Sequence, residues 1–182
     1  MSQIEIRTVR TESDREVVRG MVWAFVEFLR GRYPEMQKEI DAYVANQNIA
    51  NQLADFDAHF TPPHGECFLA LAEAAPVGIV MIRPVGEGSS ELKICELNRM
   101  YVAPEARGLG VGRKLCSRAV EEARALGYHR VQLSALNRHV EALPLYQSLG
   151  FERYFPGAGH DAKDDRVHHM RLDVTSEIAG SE

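Results

Sequence analysis

The chain has 182 residues, 45% of them hydrophobic and 26% charged, with a formal net charge of −5. That length suits one domain with a sizeable core, and the composition is that of an ordinary globular protein. The acidic balance argues against a nucleic-acid partner, which needs a basic surface to meet phosphate, and is compatible with a cationic small acceptor such as an amine.

The opening MSQIEIRTVR has no long apolar stretch, so neither a secretory signal nor a membrane anchor is evident. No apolar run elsewhere reaches the roughly 20 residues that cross a bilayer, so no membrane partner is expected. Cys67, Cys95 and Cys116 are an odd set without a CxxC pair, each among apolar neighbours. They read as free, reduced core thiols, and a cytoplasmic location follows.

Ile4–Arg7 alternates and predicts an opening strand. Thr11-Glu12-Ser13-Asp14 reads as a helix cap, after which Val17, Val18, Met21, Val22, Phe25 and Leu29 recur at helical spacing until Gly31. Pro34 opens a second helix whose apolar residues (Met36, Ile40, Tyr43, Val44) are sparser, which places it outside the core. Leu53–Gly65, with its Thr61-Pro62-Pro63-His64-Gly65, reads as a loop. Strands follow at Cys67–Glu73 and Val77–Arg83, joined by a turn at Ala74-Ala75-Pro76. Gly86–Ser90 is another turn, and a long strand runs from about Leu92 to Val102, ending at Pro104.

Gly108, Gly110 and Gly112 come next, and then Leu115, Cys116, Ala119, Val120, Ala123 and Leu126 mark an amphipathic helix. A strand at about Arg130–Ala135 and a helix around Glu141–Leu149, stopped by Gly150, follow. Phe151–Phe155 and Val167–Val174 read as last strands around the polar loop Gly157–Asp165. Residues 1–175 make one domain on this reading, and 176–182 a loose tail. Hairpin-like pairs surround a central strand–helix–strand crossover. The fold class is therefore α+β (a mixed α/β sheet) rather than a doubly wound dinucleotide fold.

Arg107-Gly108-Leu109-Gly110-Val111-Gly112 lies between the long strand and the amphipathic helix. Glycine permits dihedrals that other residues adopt at a cost and lets the main chain approach a ligand. Open amides at a helix start, with the helix dipole behind them, make a nest for a pyrophosphate. Arg107 and Arg113 add positive charge on either side, with Lys114 as a third candidate. The alternative is that the glycines only make a tight strand–helix junction. Walker A needs GxxxxGK[ST] and is missing, as is the G-x-G-x-x-G order of dinucleotide folds.

These residues resemble the GCN5-related N-acetyltransferase superfamily, whose signature is [QR]-x-x-G-x-[GA]; Arg107, Gly110 and Gly112 match its fixed positions. Glu96–Val102 followed by Ala103-Pro104 is similar to the strand before that signature, and Ala142–Phe151 is similar to the family's A-x-x-L-Y-x-x-x-G-F. The resemblance is specific from about Cys95 to Phe151 and weaker from Ile4 to Val174. It implies an acyl-CoA N-acyltransferase fold, a mostly antiparallel sheet whose central strands splay into a V, and acetyl-CoA as co-substrate. By the same resemblance the amides of Gly108, Leu109, Gly110, Val111, Gly112 and Arg113 bind pyrophosphate. The backbone of Met100, Tyr101 and Val102 pairs with the pantetheine arm, and Val102 polarises the thioester carbonyl. Tyr146 lies near the sulfur as cofactor contact and general acid. Family members often place asparagine seven residues before that tyrosine; here the slot holds His139, with Asn137 two residues earlier. Both are carried as cofactor contacts, and His139 either substitutes for the asparagine or faces water.

Acetyl transfer to an amine needs a deprotonated nitrogen, a donor for the developing oxyanion and a proton or dipole for the leaving thiolate, but no covalent enzyme intermediate. Glu96 is the first candidate base. It lies six residues before Val102, on a strand where Met100 and Val102 are expected to share its face, and the histone-acetylating branch of the family keeps a glutamate there. Alternatively, Glu96 pairs with an arginine and orders the sheet. His160, His168 and His169 with Asp161, Asp164 and Asp165 are not expected to bind metal, and His59 and His64 read as structural or exposed. The acceptor side is expected along Phe25–Tyr43 and Phe155–Asp165, with Glu27, Tyr33, Glu35, Asp41, Tyr43 and Asp161. Three readings result: an N-acetyltransferase for a small amine, a protein-directed acetyltransferase, and a non-catalytic acyl-CoA-binding regulator. Dimers are common in the family, which leaves a homodimer open.

Overall fold

The computed structural model describes residues 3–86, 92–157 and 166–175. The turn expected at Gly86–Ser90, the loop with His160, Asp161, Asp164 and Asp165, and the tail at 176–182 lie wholly or mostly outside them. Strand β1 (Ile4–Thr8) leads into α1 (Glu12–Arg32). Thr11, in extended conformation, accepts the Asp14 amide on its Oγ1 at 3.1 Å, as a Thr at the N-cap should. After a 3-10 turn at Pro34–Met36 come α2 (Gln37–Asn46), α3 (Ile49–Ala54) and α4 (Phe56–Phe60), then the hairpin β2 (Glu66–Ala72) and β3 (Ala75–Pro84). β4 (Ile94–Val102), a 3-10 turn at Pro104–Ala106, α5 (Val111–Ala125) and β5 (Arg130–Leu136) form the crossover. α6 (Ala142–Ser148), β6 (Glu152–Tyr154) and β7 (Val167–Asp173) complete the order.

The seven strands make one sheet in the order β1-β2-β3-β4-β5-β7-β6, antiparallel everywhere except between β4 and β5. A parallel pair needs a long crossover, and α5 supplies it. Helix α5 packs on one face through Leu115, Cys116 and Ala119 against Phe68, Val80, Ile82, Cys95 and Leu97. On the other face Val18 and Val22 of α1, with Ile49, Leu53, Phe56 and Phe60, cover Leu69, Ile79 and Met81. The central strands are thus buried on both sides, which is why β2 and β3 read as near-continuous apolar runs. No helix among the described residues is long and apolar enough to cross a membrane.

Three local expectations are corrected. The segment read as a loop at Leu53–Gly65 holds the end of α3 and all of α4. Ile49, Leu53, Phe56 and Phe60 are buried at spacings of four, three and four, which is a helical stripe interrupted only by Asp55 at φ −104°, ψ 58°. The β2–β3 turn is Glu73-Ala74, with φ of 49° and 67°, and Ala75 and Pro76 already pair with Ala72 and Leu71. Helix α2, expected outside the core, packs Ile40 with Val26, Leu29 and Tyr33 in a third apolar cluster.

Candidate active site

The site is organised by a failure of two strands to stay together. β4 and β5 pair at only three positions, Ile94 with Arg130, Cys95 with Val131 and Glu96 with Gln132. Beyond Glu96 each keeps its outer partner, β4 with β3 as far as Val102 and β5 with β7 as far as Leu136, and loses the inner one. A V opens between Asn98–Val102 and Leu133–Leu136, and the turn into α5 follows the end of β4.

In that turn Gly108 and Gly110 have φ of 78° and 79°, the left-handed region. No atom lies within 4 Å of where a Cβ would stand at either, so the dihedral rather than lack of space calls for glycine, and the turn is open. Among the described residues, Lys114 is the first amide of α5 to find a main-chain acceptor, Gly110 O at 3.1 Å. Unpartnered amides at the start of a 15-residue helix fit a pyrophosphate. Gly112 differs: its φ is not positive, and a Cβ there would meet only side-chain tips, Leu145 Cδ2 at 3.2 Å and Val102 Cγ2 at 3.8 Å. Gly112→Ala is therefore expected to keep coenzyme affinity within about twofold and to alter stability by under about 1 kcal/mol, as read by calorimetric titration and thermal melting.

The cations expected around the turn are held by the protein itself. Arg107 Nε donates to Val102 O at 3.1 Å, and its guanidinium lies 4.4 Å over the Phe28 ring. Arg113 Nη2 donates to Ser148 Oγ at 2.8 Å, joining α5 to α6, and Lys114 Nζ donates to Ile4 O at 3.4 Å.

Between the parted strands lies a cavity of about 400 Å³. β4 contributes Glu96 to Met100, β5 contributes Leu133 to Leu136, and His139, Ala142 and Tyr146 close the far side. Phe25 and Leu29 of α1 and Ile40 and Tyr43 of α2 roof it, with Glu39 and Arg166 also on its wall. A smaller polar recess of about 290 Å³ shares Glu96, Leu133 and Ser134 and runs on to Arg83 and Tyr154.

The expectation that Glu96 shares a face with Met100 and Val102 is overturned by a bulge. The β3–β4 register slips between Ile79 and Met81, and Arg99 sits there at φ 49°. An extra residue in a strand reverses the alternation beyond it. Cys95 and Leu97 face α5; after the bulge Met100 and Val102 take up that face, and Tyr101 turns to Phe25 and Phe28 at ring distances of 6.0 and 6.3 Å. Arg99 is 3% exposed, with Nη2 donating to Gln52 Oε1 at 2.5 Å and its guanidinium 5.3 Å over Phe60. Glu96, on the opposite face, accepts on Oε2 from Arg83 Nε at 3.0 Å and Nη2 at 2.9 Å. It is the arginine-paired carboxylate at the junction of the two recesses.

Tyr146 is buried, its ring edge-on to Phe151 at 5.9 Å, and burial pushes its phenol well above the ordinary value. It therefore keeps its proton, as a donor must. His139 stacks on Tyr33 at 5.5 Å and 23°. Burial first, then the charge of Arg32, hold its imidazole below the ordinary value. Asn137 follows β5 and donates its amide to Arg166 O at 2.8 Å. Burial raises the Cys95 and Cys116 thiols to about 12, so neither offers a thiolate.

Of the residues expected on the acceptor side, Tyr43 lines the cavity and Tyr33 reaches it through His139. Glu27 and Asp41 instead share Arg30 on the surface, and Glu35 pairs with Arg138. Glu39, Asn98 and Ser134 were not singled out by sequence. The alternation of Gln132 and Ser134 in β5 was the one signal that could have found any of them. Ser134 Oγ meets His169 Nδ1 at 2.9 Å across the β5–β7 ladder. Among the described residues no three His, Cys, Asp or Glu side chains gather as metal ligands.

The family model of the GNAT acetyltransferases matches residues 22–151. An uncharacterised N-acetyltransferase of Schizosaccharomyces pombe is 29% identical over 175 residues, 96% of this chain and 97% of that one. The N-acetylaspartate synthetase of Rattus norvegicus is 34% identical over 130 residues, 71% of this chain but 42% of that enzyme. Among solved structures, YncA of Salmonella typhimurium, determined with its cofactor acetyl-CoA, shares the fold at a TM-score of 0.65 and 20% identity, over 97% of this chain and 96% of its own. With strands that part, a glycine turn at the end of one of them and a family match spanning both, this chain belongs to the GNAT family of acetyltransferases.

Proposed function

We propose that the protein moves the acetyl group of acetyl-CoA to a primary amine of a small molecule, directly and within a ternary complex. The observation that carries this reading is the roofed cavity of about 400 Å³, reached between β4 and β5 and lined by Tyr146. Its roof of Phe25, Leu29, Ile40 and Tyr43 suits a compact acceptor better than a peptide, which needs an open trough. Two carboxylates stand on its wall to meet an ammonium group, each shared with an arginine: Glu96 with Arg83 at 2.9 Å and Glu39 with Arg166 at 3.8 Å. The rat relative's name, N-acetylaspartate synthetase, agrees with an amino-acid-like acceptor.

The amides of residues 108–113 hold the pyrophosphate, with Arg107 and Arg113 beside it. The main chain of Met100–Val102 receives the pantetheine arm, which requires Arg107 Nε to release Val102 O. Asn137 and His139 border the arm's path. The coenzyme supplies an activated acetyl thioester; the protein orients it, excludes water and manages protons. Tyr146 gives its phenol proton to the departing sulfur, and Glu96, held by Arg83, draws in the ammonium form of the acceptor.

The test is a panel of amines, amino acids and peptides incubated with acetyl-CoA while free thiol is measured. Thiol release with one or more small amines is expected. Acetylation confined to peptide lysines or N-termini, or no thiol with any acceptor, sinks the reading.

A further inference from the structure

The geometry points to His139 as the group that takes the proton from the acceptor nitrogen. This inference rests on the amine-acetylation reading above and adds to it the identity of the base.

His139 lines the same cavity as Tyr146, and its Nε2 is buried without a hydrogen-bond partner among the described residues. A buried ring nitrogen that no protein group satisfies is costly, and a small turn of the ring toward the cavity would let a bound ligand relieve it. The backbone that carries the ring is pinned. The ring is stacked on Tyr33, the His139 amide donates to Leu136 O at 2.9 Å, and its carbonyl accepts from Ala142 at 3.0 Å and Leu143 at 3.2 Å. The base and the acid are therefore carried by one rigid unit, seven residues apart across the start of α6.

The charged and titratable groups around the ring come from every neighbour. Arg32 and Tyr33 lie at the end of α1, Arg107 in the glycine turn and Glu141 on its own segment, while Glu39, Glu96 and Arg166 share the cavity wall. Burial and the two arginines outweigh Glu141 and keep the imidazole neutral at neutral pH, where it accepts a proton. Glu96 instead accepts two donors of Arg83 on its Oε2.

The step balances as follows. The acceptor enters as an ammonium ion, and His139 Nε2 takes one proton and frees the lone pair. The nitrogen forms its bond to the acetyl carbon as the carbon–sulfur bond breaks. Tyr146 gives the sulfur its phenol proton and is reprotonated by the second proton lost from nitrogen. His139 returns the first proton to solvent.

The test compares the parent protein with His139→Gln, His139→Ala and Glu96→Gln, by thiol release across pH at saturating acetyl-CoA. His139→Gln is expected to lose about 100-fold in kcat, with KM for acetyl-CoA within threefold, and to lose the fall in activity on the acid side, which for this depressed imidazole lies below the ordinary histidine range. Glu96→Gln is expected to keep that acid limb, and added imidazole to restore part of the turnover of His139→Ala. Turnover within threefold of the parent in His139→Gln, a loss confined to KM for acetyl-CoA, or an acid limb that persists overturns the role of His139 while leaving amine acetylation standing. A parent protein that releases no thiol with any amine overturns both.

Discussion

Gly110→Val is expected to weaken acetyl-CoA binding by at least tenfold while the domain stays folded. Gly110 holds φ 79°, a region in which a β-branched side chain collides with its own backbone. Keeping that dihedral with valine costs about 1–3 kcal/mol. Abandoning it swings the amides at the start of α5 away from their common focus, and each 1.4 kcal/mol lost is a factor of ten in affinity. Space is not the obstacle, since no atom lies within 4 Å of the added Cβ. Calorimetric titration with acetyl-CoA, set beside far-ultraviolet dichroism, reads both halves of the expectation. Gly112→Ala is the internal control: it adds bulk nearby, but its backbone needs no left-handed dihedral. A Gly110→Val protein that binds the coenzyme like the parent would show that the nest is not where the diphosphate sits.

That turn and the helix behind it were legible because their signals are local. Glycine spacing marks the bend, and Leu115, Cys116, Ala119 and Ala123 trace one buried helical face. The V between β4 and β5 was reachable only through family resemblance, because it depends on which hydrogen bonds two distant segments do not make. The face of Glu96 was misread for a different reason. A positive φ at an arginine leaves no mark in sequence; Arg99 tolerates it because Gln52, Phe60 and Met81 fix its guanidinium. Propensity pointed away from the Glu73-Ala74 turn as well, since neither residue is a usual occupant of left-handed positions. Similarly, the Pro62-Pro63 pair drew Leu53–Phe60 into a loop although its apolar residues already kept helical spacing.

The bulge separates the two ends of β4 onto opposite faces of the sheet. Before it, Glu96 looks toward the recesses under α2; after it, Met100 and Val102 look toward α5 and α6, where Val102 Cγ2 and Leu145 Cδ2 stand beside Gly112. One strand thus presents Glu96 on one face and Met100 and Val102 on the other, which under the proposed reading are the acceptor side and the cofactor side. A regular β4 would put all three on one face.

Tyr146→Phe is expected to lower kcat by roughly 10²-fold while KM for acetyl-CoA stays within about twofold. The substitution removes one oxygen and leaves the ring against Phe151, so the packing that holds α6 to the last strands persists. Because burial drives the phenol upward, the parent keeps its proton throughout the working range. The deficit of the variant is accordingly expected to be the same at pH 6 and pH 9, unlike that of His139→Gln, whose profile changes shape. Initial rates at saturating amine and varied acetyl-CoA separate the three roles open to this side chain. If the tyrosine only packs, both constants stay put; if its hydroxyl only grips the coenzyme, KM rises and kcat does not. A loss that falls on kcat alone, and equally at every pH, is what a proton donor to the leaving sulfur produces.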